Sequence, residues 1–146
     1  MYKQMINRAT VIVLLIVGSL TACKQTNGPG TEPSPELSSR VVGQYTLKQI
    51  AANGQTSSAV DEDLQGGAKI SRVSANSVSL ELSIIEASTG DEVLTRAVSD
   101  INVTDAGNNE VSLIKESSMI GKGGANKLSI NVVGGSGVAY VLLMTK

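Results

Sequence analysis

Between Ser77 and Ile84 the chain alternates without a fault. Val78, Leu80, Leu82 and Ile84 fall on one side, and Ser77, Ser79, Glu81 and Ser83 on the other. A period of two puts these apolar groups on one face of a β-strand, whereas a helix would scatter them round its circumference. The same pattern recurs at Leu128, Ile130 and Val132 against Ser129 and Asn131, and at Gly43, Tyr45 and Leu47 against Gln44, Thr46 and Lys48. Residues 138–144, VAYVLLM, are apolar on both faces, so that strand should be central or have its outer face covered.

Turn-forming residues punctuate these runs at Asn53-Gly54, Gly66-Gly67, Ala75-Asn76, Thr89-Gly90-Asp91, residues 105–109, 121–124 and 134–137. A spacing of roughly 10 to 15 residues suits hairpin-linked antiparallel strands rather than helices alternating with strands. Strands are predicted near 42–50, 56–60, 68–74, 77–86, 92–103, 110–116, 118–121, 127–133 and 137–145, with at most a turn of helix at 61–65. The expected fold is all-β: an antiparallel up-and-down meander of about eight strands, closed as a barrel, with a β-sandwich as the alternative.

The N-terminus carries a different message. Residues 1–8 hold Lys3 and Arg8 and no acid, and residues 9–17 are apolar apart from Thr10. That core is too short to span a bilayer, which takes about 20 apolar residues, but it suits a cleaved export signal. It ends at Leu20-Thr21-Ala22-Cys23, which contains the chain's one cysteine. This pattern resembles the lipobox of bacterial lipoproteins. The resemblance implies a diacylglycerol thioether on Cys23, cleavage before it, and acylation of the new amine by a fatty acid such as palmitate. Two or more acyl chains give stable membrane attachment where one is marginal. The expected address is the bacterial cell envelope, at the outer membrane, facing the periplasm or the cell surface.

Three regions follow: a lipoprotein signal peptide at 1–22, the lipidated cysteine with a flexible tether at 23–39, and one β domain at 40–146. The tether sequence KQTNGPGTEPSPELSS holds all three prolines and little that could be buried. No second cysteine exists for a disulfide, so the core alone must hold the domain.

Composition removes several functions. Without Lys3 and Arg8, ten of the twelve basic side chains remain against thirteen acidic ones, a formal balance of −3. Nucleic acid, which demands a basic surface, is an unsuitable partner. Histidine, tryptophan and phenylalanine are absent, and beyond the signal only Tyr45 and Tyr140 are aromatic. Sugar- and base-stacking platforms therefore lack their material. With no histidine and the cysteine acylated, the commonest general base and the soft metal ligands are missing, so no enzyme, cofactor or metal is expected.

The remaining polar clusters have simpler explanations than chemistry. Asp61-Glu62-Asp63 lacks the glycine and terminal glutamate of an EF-hand and reads as a solvated loop. Asp105, Asn108, Asn109 and Glu110 suit a turn. Gly121-Lys122-Gly123-Gly124 lacks both the preceding glycine and the following Ser or Thr of a phosphate loop. Asn102-Val103-Thr104 fits a glycosylation acceptor whose eukaryotic meaning does not carry to a bacterial lipoprotein. Glu81 and Glu86, five apart on one strand, point to opposite faces.

A lipobox, a short tether, then Val42-Gly43-Gln44-Tyr45-Thr46-Leu47 and an Asn53-Gly54 turn resemble the small bacterial lipocalin-like lipoproteins. Their first strand opens with glycine, any residue, then tryptophan; Tyr45 stands at the tryptophan position. The family implies a barrel whose mouth admits an apolar ligand, with Tyr45 at the closed end. Inward residues such as Tyr45, Leu47, Leu80, Leu82 and Tyr140 are the candidate ligand-binding set. The expected partners are the membrane, through covalent lipid, and a small apolar ligand; the alternative is a structural or adaptor lipoprotein that binds another envelope protein.

Overall fold

The computed structural model describes residues 36–146. Cys23, the lipobox and most of the tether lie outside them. The described residues form one compact unit. A 3-10 turn, Leu37–Arg40, precedes nine strands: β1 (Gly43–Ala52), β2 (Gln55–Ser58), β3 (Leu64–Ser74), β4 (Ser77–Glu86), β5 (Glu92–Gly107), β6 (Glu110–Lys115), β7 (Ser118–Gly123), β8 (Lys127–Val133) and β9 (Ala139–Thr145). All pairings are antiparallel, and β9 returns to β1. The chain is thus an up-and-down barrel of eight strands with β2 as an extra segment. β2 and β3 share one edge of β1: β2 pairs with Gln49 through Ala52, and β3 with Gly43 through Thr46. Residues 59–63 make an excursion between them.

Alternation decides what faces inward. Val78, Leu80, Leu82 and Ile84 are all buried, as are Leu128, Ile130 and Val132, whereas Glu81 and Ser83 are exposed. β9 is laddered on both sides, to β8 and β1, and Val141 and Leu143 on its outer face remain half-buried.

Register shifts break the simple period in five of the ladders, and two of them bear on the site. On β1, Leu47 opposes Met144 while Gln49 opposes Leu143, so Lys48 is an extra residue. The inward phase moves from Tyr45 and Leu47 to Ile50 and Ala52, and the Lys48 carbonyl accepts the Ala59 amide at 2.9 Å. On β5, Ile101 opposes Val78 but Val98 opposes Leu80. The surplus lies beside Asp100, whose φ of 54° supplies the bend. An inserted residue of this kind reverses the side-chain phase and sharpens strand curvature.

Several glycines placed in turns on sequence grounds belong instead to strands. Gly66 and Gly67 lie within β3, and Gly121 and Gly123 within β7. A Cβ at Gly67 would collide with the Tyr45 carbonyl, and one at Gly123 with Val41. Close backbone approach is their role. Correspondingly, β3 starts at Leu64, four residues before the expected boundary. The hairpin from β6 to β7 turns through Glu116 and Ser117 with φ of 49° and 67°, positions that carry no turn signature.

One end of the barrel is plugged. Val41 is fully buried, Leu37 packs on the core, and the Ser38 amide donates to the Ala75 carbonyl at 3.0 Å. Residues 36–39, grouped with the tether on composition, therefore belong to this plug. Arg40 pairs with Asp105 at 3.4 Å, and Arg72 with Glu36 at 2.6 Å, tying the plug to the barrel rim.

Leu82 is 1 % exposed, and Ser83 beside it faces solvent. Leu82→Ala should cost about 2 to 5 kcal/mol in chemical denaturation and Ser83→Ala less than about 0.5 kcal/mol. Equal costs would contradict the strand phase.

Candidate functional site

Opposite the plug, the barrel opens into a cavity of about 620 Å³. Its floor is aliphatic: Ile84, Val132 and Leu142 are buried there. Half-buried Ile50, Ala52, Leu64, Leu94 and Tyr140 form the walls. Asn53, Gln55, Ser57, Glu62 and residues 134–136 supply a polar rim. The β1 bulge is what aims Ile50 and Ala52 into this space.

Gly134 is needed where it stands. A Cβ there would lie 2.9 Å from Tyr140 Cε2, so the tyrosine ring rests directly on the backbone of the connection from β8 to β9. That connection is itself hydrogen-bonded, Gly134 N to Val138 O and Gly137 N to Gly134 O, both at 2.9 Å. Beyond the end of the β3–β4 ladder, the Ala87 amide donates to the Asp63 carbonyl at 2.7 Å and the Ser88 hydroxyl donates to the Asp63 carboxylate. The rim is thus held by hydrogen bonds of its own.

One side of the wall is not laddered. β5 pairs with β6 only from Asn102 onward, and β7 pairs with β8 only through Gly121 to Gly123. Residues 92–101 of β5 thus have β4 as their one strand partner among the described residues. Val93 on β5 and Val133 on β8, 56 % and 63 % exposed, both line the cavity. These valines give the opening an apolar lip.

The five apolar positions proposed from sequence are divided by the structure. Tyr140 lines the cavity. Leu47, Leu80 and Leu82 are buried lower in the barrel, where side chains from facing strands fill the interior. Tyr45 sits lower still, at the closed end. Its hydroxyl donates to the Val41 carbonyl at 2.7 Å, with the Gly124 carbonyl also in reach at 3.1 Å. Lys146 Nζ stands 5.2 Å from the ring centroid, within cation–π range. Cys23 lies outside the described residues. Ile50, Ala52, Leu64, Val132 and Leu142 escaped sequence reasoning because inward parity does not say how far along the barrel axis a residue sits.

The other clusters stay apart. Glu81 is exposed and pairs with Lys69 at 3.8 Å, while Glu86 accepts a hydrogen bond from the Thr89 hydroxyl at 2.6 Å. Asp105 accepts the Gly107 amide at 2.8 Å, and Asn108 and Asn109 have φ of 54° and 63°, the geometry of a tight hairpin turn. No group of three or more His, Cys, Asp or Glu among the described residues is arranged to hold a metal ion. No protein-family model, curated protein or solved structure gives a significant match to this chain.

Burial pushes the Tyr45 phenol from 10.0 up to about 12, because the ionised form would lose water and face carbonyl oxygens. The unfolded phenol ionises first as pH rises. Tyr45 therefore contributes its full stabilisation below pH 10 and loses it between 10 and 12. Tyr45→Phe should cost about 1 kcal/mol at neutral pH. Across that window the difference between wild type and variant should change by on the order of 2 kcal/mol, so that the wild-type advantage vanishes and then reverses in favour of the variant. A constant gap from pH 9 to 12 in urea titrations would contradict the buried, donating hydroxyl.

Proposed function

We propose that this protein is a lipid-anchored carrier of the bacterial cell envelope, whose lipocalin-like barrel takes a small apolar or amphipathic molecule into its open end. The observation that carries the reading is the aliphatic cavity of about 620 Å³ with an ordered polar rim. That volume falls within the range of about 300 to 1,000 Å³ typical of small-molecule sites. Exposed Val93 and Val133 at the unladdered side favour lateral access for a greasy chain. Below the cavity the core is closed by Tyr45 and the plug, so a ligand would enter from the mouth and stop partway down. The anchor rests on the lipobox at Cys23 and on the basic and apolar segments before it. The described residues begin at the plugged end, with Leu37 and Val41 packed on the core.

An uncharged apolar fluorophore should bind the mature chain saturably. At one hundred times its Kd it should stabilise the fold by about 2.7 kcal/mol. Ala52→Trp, which places an indole in the cavity, should weaken binding by about tenfold or more while leaving the far-ultraviolet strand spectrum intact. Absence of saturable binding by every apolar probe overturns the carrier reading.

The unpaired edge of residues 92–101 favours a second reading, an adaptor that docks another envelope protein by strand addition. It would show as a partner protein whose binding survives Ala52→Trp.

For the anchor, Cys23→Ser should abolish acylation and leave uncleaved precursor. Mass spectrometry of the mature protein should find acylated Cys23 as the first residue; an unmodified terminus elsewhere contradicts it.

A further inference from the structure

We infer that the cavity selects single-chain amphiphiles with a positively charged head group; this rests on the carrier reading and specifies its ligand. The argument begins with where charge falls. Residues 49–68, 84–95 and 128–145 supply every lining residue of the cavity and contain no lysine or arginine. They do contain Asp61, Glu62 and Asp63 in the excursion before β3, and Glu86, Asp91 and Glu92 around the connection from β4 to β5.

These carboxylates are not neutralised by ion pairs. The three salt bridges among the described residues join Arg40 to Asp105, Lys69 to Glu81 and Arg72 to Glu36, none of them at the mouth. Glu62 is the one charged side chain that lines the cavity, and it is exposed at the rim. The Asp63 and Glu86 carboxylates accept hydroxyl hydrogen bonds from Ser88 and Thr89, which orient them without cancelling their charge. A low-dielectric cleft edged by one sign of charge concentrates ions of the opposite sign, by about tenfold or more.

The lining also holds one aromatic ring, that of Tyr140. Aromatic faces attract ammonium groups, most strongly when the cation is shielded from water. A cationic head at the mouth would meet the Glu62 carboxylate and the Tyr140 ring while its alkyl chain reaches the floor formed by Ile84, Val132 and Leu142. An anionic head would be held against an unpaired carboxylate rim. The cations nearest in the chain to lining residues are Lys48, two residues before Ile50, and Arg96, two residues past Leu94. Neither is a lining residue.

The test uses the mature chain 23–146 carrying Cys23→Ser, so that no acyl chain of its own competes. Dodecyltrimethylammonium, dodecan-1-ol and dodecanoate, below their micelle thresholds, displace an uncharged fluorescent probe at low ionic strength and again in 0.5 M salt, roughly a threefold shorter screening length than at 0.05 M. Dodecyltrimethylammonium should bind about tenfold or more tighter than dodecanoate, with the difference shrinking in salt. Glu62→Gln with Asp61→Asn should erase most of the preference, and Glu81→Gln on the outer wall should leave it unchanged. Equal binding of the three head groups, or a preference for dodecanoate that points to Arg96 instead, overturns the inference and leaves the carrier reading standing. Displacement of a bound probe by none of them overturns the inference alone; no saturable binding by any apolar probe overturns both.

Discussion

The ladder between β1 and β9 is the contact on which the rest depends. Strands with one apolar and one polar face must either stack on a second sheet or curl until their own edges meet. Here Thr46 through Ala52 pair with Thr145 back to Tyr140, and the first strand closes on the last. The contact joins residues nearly a full chain apart, so its loop-closure entropy must be offset by everything buried inside the ring. Closure also sets one inner face, and Leu47, Leu82, Ile101, Leu113, Ile130 and Met144 share it as a single core.

Within that ladder, a single extra residue divides the molecule in two. Below Lys48 the inward side chains of β1 are Tyr45 and Leu47, packed with the plug into a filled floor. Above it they are Ile50 and Ala52, facing a cavity. The two halves ask different things of their backbones. In the lower half, glycines at 67 and 123 let neighbouring segments approach where a methyl group would collide. The upper half has shorter ladders, an unpaired stretch of β5 and connections held by their own hydrogen bonds. A filled, well-laddered half supplies the stability that an open half spends.

The polarity of charge follows the same division. Ion pairs secure the plugged end and the outer wall, where Arg40, Arg72 and Lys69 meet acids. The mouth carries acids without such partners. Carboxylates close together repel one another, and leaving them unpaired confers no stability. Their placement round an aliphatic cavity is what the proposal of a cationic amphiphile rests on.

Much of the fold was legible before any coordinates because a strand's two-residue period is local. Each of Val78, Leu80, Leu82 and Ile84 declares its side through its immediate neighbours, and Asn53-Gly54 marks a hairpin by its own backbone preference. The all-β class, the strand positions and the first inward residues follow from such short-range rules. Bulges at Lys48 and Asp100, the in-strand glycines and the Glu116-Ser117 turn were not legible, since each answers to a partner strand distant in sequence. The site suffered most from this limit. Alternation states which side chains point inward, but Leu80 and Leu142 look alike to it; only strand tilt, register and the side on which the plug sits decide that one is packed and the other lines a cavity. The sequence by itself determined the alternating strands, the turn chemistry and the absence of histidine and of a second cysteine. Tertiary structure alone decided barrel over sandwich, which end is open, and the gathering of acids from separate connections at one mouth, because depth and proximity are properties of the closed ladder and not of any segment in it.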